Sequence, residues 1–516
     1  MIRILKWFFI LAVVVIGGYM VAEWRMKVEI KKFLDLKVPD HIDFAYENLD
    51  ISLLKGSLEF DEVNVISHGR QTSSCEIIIE AGQVAIEGFS YWKILLDKSI
   101  FLKKLTLSKP HLNFKACPKD TSDVSGSNPI NLLKPIFIEE VAFDSGSVEI
   151  WNTTREVELL SVKSIDLNLK HVTTDSKIIK DYVPFEFSDF DITLKDMKAP
   201  LGEFEVLQMG IMEMDNSSIA IKDILLATAL SKAELSKKLT FERDHITLSV
   251  PDILVEDQAY SVKNDSLQVF YKSLALNNPK LDVYRDKSLA DNTERRPLFS
   301  EMLRELPFKV SIDSVTIAKA MVSYEENLPN DAQAGLLTFE NLDAVFTNLS
   351  NLPSNKDNLK ININADLMGA GSFNLDWEFN VQDKHDAFVI SGGLSNLNTA
   401  SLNEFLVPNL RTKTTGTIDQ MYFTISGDEY VASGDIKMNY DDFKFQVLNK
   451  KRNQVKKILS FVGNLFVSDG SKADADGYRY GKISTERPTN KSFFNYLWVN
   501  LEDGLLDVLT GNGKKE

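Results

Sequence analysis

The sequence predicts a mainly β protein behind a single N-terminal transmembrane helix. It predicts an elongated antiparallel sheet with short helices and a helical C-terminal end. Three observations carry this. The run Trp7–Ala22 holds 16 consecutive uncharged residues. Alternation with period 2 dominates the rest of the 516-residue chain. A longer apolar spacing then recurs along it.

The N-terminal run comes first. With the flanks Ile4–Leu5 and Trp24, and with Lys6 and Glu23 snorkelling, it reaches about 20 residues, enough for ~30 Å of hydrocarbon at ~1.5 Å per residue. The apolar body is Trp7, Phe8, Phe9, Ile10, Leu11, Val13, Val14, Val15 and Ile16. Trp7, Tyr19 and Trp24 suit the two interfaces. A cleaved signal peptide is the rival reading. It fits less well, because Met20-Val21-Ala22 puts a bulky residue where the cleavage motif wants a small one. Arg3 and Lys6 precede the run, whereas Arg25, Lys27, Lys31, Lys32 and Lys37 follow it. Flanking charge therefore leaves the orientation open.

Strands follow. Gly56–Phe60, Ile246–Val250, Phe373–Phe379, Asp435–Tyr440 and Phe443–Val447 each alternate apolar with polar residues. One apolar and one polar face is the mark of antiparallel strands with a single buried side. Turn clusters at Lys55-Gly56, Asp144–Gly146, Asn277–Pro279 and Ser433–Asp435 punctuate them.

The longer spacing has six apolar positions. It fits Ile100, Leu102, Leu105, Leu107, Leu112 and Phe114, and again Ile136, Ile138, Val141, Phe143, Val148 and Ile150. It returns at Val269, Tyr271, Leu274, Leu276, Leu281 and Val283, and at Val310, Ile312, Val315, Ile317, Val322 and Tyr324. Three residues after the fourth apolar position stand Pro110, Gly146, Pro279 and Ala320. With 44% apolar residues, such spacing also arises by chance. Its weight comes from the polar filling and from the turn residues. It reads as a strand, a two-residue break that switches faces, a second strand, a turn and a third strand.

Helices are expected at Ser90–Asp97, Ala227–Leu239, Pro297–Leu306, Lys450–Val467 and Phe493–Leu509. Loops are expected at Lys119–Asn128, Asp286–Arg296, Asn351–Asn358 and Asp469–Asn490. The Lys450 helix carries Lys450, Lys451, Arg452, Lys456 and Lys457, which suits a solvated face of a packed helix or an anionic membrane. The last helix suits a cap on a β edge, a bilayer or a partner protein. The domain reading is an anchor over residues 1–25, a β body over 26–448 and C-terminal helices with a loop over 449–516.

Chemistry is hard to find. Acidic residues outnumber basic ones 74 to 58, a net charge of −16, which argues against nucleic acid. Mean hydropathy of −0.13 excludes a polytopic membrane protein. His41, His68, His111, His171, His245 and His385 are scattered singly, without a zinc-binding pair. Gly477–Lys482 resembles a phosphate loop but has three intervening residues, and Ile483 stands where a hydroxyl belongs. Asp474-Ala-Asp476-Gly477 lacks the glutamate that closes a calcium loop. Cys75 and Cys117 pair in an oxidising compartment or stay reduced. No catalytic residue, metal or cofactor is expected.

The order of features resembles a known family. A short N-terminal span precedes Gly56–Phe60 and Ile100–Leu112, and Gly434–Tyr440 and Lys491–Trp498 come near the end. This is similar to the AsmA-like envelope proteins of Gram-negative bacteria, relatives of TamB and YhdP. The resemblance covers essentially the whole chain and rests on soft apolar patterns. It implies an inner-membrane anchor with the bulk of the chain in the periplasm. It also implies a curled β-groove whose apolar interior carries phospholipid acyl chains between membranes. A non-catalytic envelope scaffold that binds partner proteins through the C-terminal helix is the alternative. The lining candidates are Leu105, Leu107, Val141, Phe143, Val315 and Ile317.

Overall fold

The computed structural model describes residues 2–37, 42–68, 76–89, 99–115, 134–180, 183–263, 266–329, 333–448 and 473–510, without the side chains of 2–14, 33–37, 68, 76, 180, 262 and 263. The expected helices at Ser90–Asp97 and Lys450–Val467, the Lys119–Asn128 loop and both cysteines lie outside these residues. The chain divides into two compact units. The first is Met1–Leu201 with Gln208–Asn216, and the second is Gly202–Leu207 with Ser217–Glu516.

The first unit opens with helix α1 (Ile2–Lys37). Strands β1 (Ile42–Ala45) and β2 (Asn48–Ser52) pair one after the other along β3 (Ser57–His68). Ile30 of α1 packs with Phe60 and Val63 of β3, and Lys27 reaches Asp50 at 3.0 Å. Next come β4 (Glu76–Glu87), β5 (Ile100–Ser108), β6 (His111–Lys115), β7 (Ile136–Trp151), β8 (Glu158–Thr174) and β9 (Asp189–Leu201). Strand β10 (Glu205–Asp215) has residues in both units.

The second unit holds β11 (Ser218–Thr228), α2 (Lys232–Lys238), β12 (Asp244–Glu256), β13 (Ala259–Lys263), β14 (Ser266–Asn277) and β15 (Lys280–Asp286). Then come α3 (Phe299–Arg304), β16 (Lys309–Asn327), β17 (Gly335–Ser350), β18 (Leu359–Leu367), β19 (Gly371–Phe379) and β20 (Phe388–Asn398). Helix α4 (Asn403–Leu410), β21 (Thr412–Gly427), β22 (Val431–Val447), β23 (Arg479–Glu486) and α5 (Phe493–Thr510) complete it.

The mainly β expectation holds, but the sheet is mixed rather than antiparallel. β5 and β6 are two halves of one bent strand, antiparallel to β4 and parallel to β7. β14 and β15 repeat this between β12 and β16. The physical reason is connectivity: a crossover of many residues lets the next strand return in the same direction. An alternating apolar pattern is the same for either direction.

The recurrent spacing is the register of these parallel pairs. Ile100, Leu102, Leu105 and Leu107 stand opposite Ile136, Ile138, Val141 and Phe143, and Leu112 and Phe114 opposite Val148 and Ile150. In the second unit Val269, Tyr271, Leu274 and Leu276 face Val310, Ile312, Val315 and Ile317, and Leu281 and Val283 face Val322 and Tyr324. The four turn positions also correspond. Each follows a residue in the left-handed region: Lys109 (φ 51°), Ser145 (φ 54°), Asn278 (φ 51°) and Lys319 (φ 54°). Pro110, Gly146, Pro279 and Ala320 are buried at the kink. Matching hydrogen bonds stitch both kinks: Ser147 N to Pro110 O at 2.7 Å, and Met321 N to Pro279 O at 2.9 Å. A Cβ on Gly146 would lie 3.0 Å from Pro110 Cγ, which accounts for the glycine.

The expected face switch does not occur. Ile138, Val141 and Phe143 share one apolar cluster, and Val310, Ile312 and Val315 share another. The pairing register is unbroken there, with Ile138 opposite Val172 and Val141 opposite Leu169, and Ile312 opposite Leu349 and Val315 opposite Phe346. A left-handed residue on the partner strand, His171 (φ 53°) or Asn348 (φ 68°), marks a kink that both strands share and that keeps the two halves on one side.

Other elements differ as well. The expected helix Ala227–Leu239 shrinks to α2, because Ala227 belongs to β11 and pairs with Thr247. A Ser231–Glu234 capping box starts α2. The expected loop Asp469–Asn490 contains β23. Pro297–Leu306 holds α3, and Phe493–Leu509 matches α5.

Candidate functional site: an apolar face across five strands

The site is built by pairing register. In the first unit, Val84, Leu107, Phe143, Leu167 and Ile192 form one cross-strand row over β4, β5, β7, β8 and β9. The next row is Ile86, Leu105, Val141, Leu169 and Phe190. Directly opposed residues share a face. The two rows are therefore a continuous apolar surface, about 20 Å across at ~4.8 Å per strand.

Among the described residues, this surface is only half covered. All five residues of the first row are partly exposed. Val141, Leu169 and Val172 form the buried centre, with Leu105, Ile138, Phe143, Leu167, Phe185 and Phe190 packed round it. Among the described residues of that cluster, Phe185 alone comes from outside a strand. The most buried apolar side chain described in the first unit is Ala81, at 4% exposure.

The opposite face is polar and ordered. Lys104 Nζ lies 2.9 Å from Glu140 Oε1, and Asn168 donates to Glu140 at 3.1 Å. The Lys104 hydrogen bond holds the Glu140 carboxyl below its ordinary range, and the same bond raises Lys104. A charge ladder of this kind faces water, so the apolar side is the one in need of a cover.

The second unit has the same kind of rows with a roof. Val255, Leu274, Val315, Phe346, Ile361, Trp377, Ile390 and Ile425 follow one another across eight strands. They run into a large buried cluster, closed by Phe299 and Leu303 of α3 and by Phe493 and Tyr496 of α5. Ile390 and Ile425 are fully buried.

The chain matches no protein-family model and no curated protein.

The candidate residues fall into two groups. Leu105, Val141 and Phe143 meet in one cluster, and Leu107 stands opposite Phe143 in the adjoining row. Val315 is buried in a separate cluster of the second unit, and Ile317 stands beside it opposite Leu276. Sequence reasoning missed Val84, Ile86, Leu167, Leu169, Phe190 and Ile192. Their alternation was visible, and pairing partners were needed to place them. Among the anchor residues, Val15, Ile16 and Trp24 are exposed on α1, at 61%, 58% and 64%. Trp7, Phe8, Phe9, Ile10, Leu11, Val13 and Val14 lie in α1 without described side chains. Among the described residues, no helix is long and apolar enough to cross a membrane. Half of the uncharged run, Trp7–Val14, is without described side chains. No group of three or more metal-type side chains occurs among the described residues.

Proposed function

We propose that the protein is a membrane-anchored, periplasmic lipid-binding protein that helps move phospholipid in envelope biogenesis. In this reading the run Trp7–Ala22 of α1 lies in the inner membrane. Acyl chains lie on the apolar face of β4–β9. The supporting observation is the pair of rows through Leu107–Phe143 and Leu105–Val141, apolar, continuous and half exposed in a solvated sheet.

The physics suits the task. Each methylene moved from water onto an apolar face gains about 0.8 kcal/mol. A row of similar side chains offers similar sites along its length, so a chain slides without breaking a directional bond. The headgroup stays at the wet rim, and no covalent step is needed.

The test is lipid analysis of the full chain purified in mild detergent. Co-purifying phospholipid is expected, and Leu107→Asp with Phe143→Asp should strip it. A wild-type protein free of phospholipid overturns the reading.

A second reading has its own observation. On α5, Phe494 and Leu506 are exposed at 65% and 50%, and Trp498 at 37%. Such a stripe fits an envelope scaffold that holds a partner protein. Replacing all three by serine should then abolish partner capture while leaving the lipid content unchanged.

A further inference from the structure

Strand β23 pairs on one side with β22, with Ile483 opposite Gly434 and Gly481 opposite Ile436. The alternate residues turn their backbone donors to the other side. Lys482 N donates to Asp507 Oδ2 at 2.7 Å, and Ser484 N donates to Asp503 Oδ2 at 2.8 Å. Thr485 Oγ1 donates to Asn500 Oδ1 at 2.8 Å, and Arg479 Nε donates to Val508 O at 2.9 Å. The acceptors all come from α5.

The fit is metric. Two residues along a strand advance about 6.6 Å, and four along a helix advance about 6 Å. Carboxylates four apart on a helix therefore match edge donors two apart on a strand. The helix comes close enough because both backbones are bare at the crossing. A Cβ on Gly481 would lie 2.6 Å from Gly504 O, and one on Gly504 would lie 2.7 Å from Ile483 Cγ1.

We propose that Asp503 and Asp507 are an intramolecular edge cap, taking the acceptor places of a missing β-strand and so keeping β23 from pairing with β23 of a second copy. An open strand edge is a template for another strand. A second copy fits this edge, because antiparallel β23–β23 pairing about Ile483 is two-fold symmetric and supplies donors and acceptors to both chains. The cap works through two side chains. The anchoring of α5 rests on Phe493, Tyr496 and Val508, which are buried in the core. Removing the carboxylates thus opens the edge without removing the helix.

The experiment uses the full chain in mild detergent, with mass by light scattering and amide hydrogen exchange. In the wild type, the Lys482 and Ser484 amides should exchange as slowly as those of Gly481 and Ile483. The D503A/D507A variant should double in mass with rising concentration, and at low concentration these two amides should exchange at least about ten-fold faster. The D503N/D507N variant keeps an oxygen acceptor and should behave as wild type. Adding Ser484→Pro to D503A/D507A deletes an edge donor and should restore the original mass. Fast exchange at Lys482 and Ser484 in the wild type overturns the proposal, whether or not any variant folds. So does a D503A/D507A protein with exposed amides and unchanged mass.

Discussion

Trp377 and Phe493 lie face to face, ring centroids 4.3 Å apart and planes 4° from parallel. Phe299 and Phe388 meet Phe493 edge-on at 6.0 and 5.3 Å. One ring of α5 thus ties together α3, β19 and β20. Phe493→Ala should cost about 3–5 kcal/mol, the usual loss for a buried phenylalanine. Trp377→Phe should cost less, because the indole N–H it removes has no acceptor among the described residues. Denaturant melts of the two variants check the order.

The Glu242 side chain is 2% exposed and pairs with Lys287 at 2.6 Å and Lys491 at 2.9 Å. Lys491 also reaches Asp291 at 2.9 Å, and Asn490 donates to Asn292 O. The cluster fastens the connector before α5 to the loop after β15. Glu242→Ala leaves Lys287 and Lys491 to share Asp291 and should destabilise by about 1–3 kcal/mol. Lys491→Met leaves Glu242 with Lys287 and should cost less. Equilibrium unfolding separates the two.

The same cluster sets an acid response. Burial raises Glu242, but hydrogen bonds from Lys287 and Lys491 outweigh it and hold the carboxyl below its ordinary range. The Lys491 hydrogen bond lowers Asp291, and the Arg295 hydrogen bond lowers Glu301. For a carboxyl depressed in the folded state, the stabilisation is full above the unfolded pKa of about 4 and is lost as pH falls through the folded value. Melting temperature should therefore be flat from pH 7 to about 5 and drop below pH 4. The drop should be shallower in Glu242→Ala. An equal drop in both proteins would remove Glu242 as the cause.

The kinks carry a conformational cost that one substitution can relieve. Lys319 holds φ 54°, a left-handed value that costs a non-glycine residue about 1–2 kcal/mol. Lys319→Gly should be neutral or stabilising by up to about 1 kcal/mol, since glycine's own entropy cost is smaller. Lys319→Val should destabilise. Thermal melts of the pair distinguish backbone strain from side-chain loss.

The sequence revealed the strand register better than the strand direction. The six-position spacing at Ile100–Phe114 and Ile136–Ile150 marks partners that stand opposite each other. Alternation fixes which residues share a face, and that property is blind to direction. The face switch was misread because a kink shared by paired strands and a clean break look alike in spacing. β23 was missed because Arg479–Glu486 offers one aliphatic residue, Ile483, amid glycine and polar residues. Its strand identity comes from β22 and from the helix across Gly481. Ala227 was misread because Ile224–Leu230 is as good a helix run as a strand run, and pairing with β12 decided it. The apolar face itself was half legible. Leu105 and Val141 announced a buried side, but only the pairing of five strands shows how far that side extends and how little covers it among the described residues.

The bent strand β5–β6 completes its second edge only when β7 has been made, and β14–β15 waits likewise for β16. Parallel pairing across a crossover must close a loop before it gains any contact, and such steps are slow. During synthesis each bent strand therefore stands with one ladder formed and the other open while the crossover emerges. That interval is when the chain is most exposed to wrong pairing. The two kinked modules are thus the natural points at which a folding helper would be needed, and the edge left waiting in each, along Leu105–Leu107 and along Leu274–Leu276, is where it would have to act.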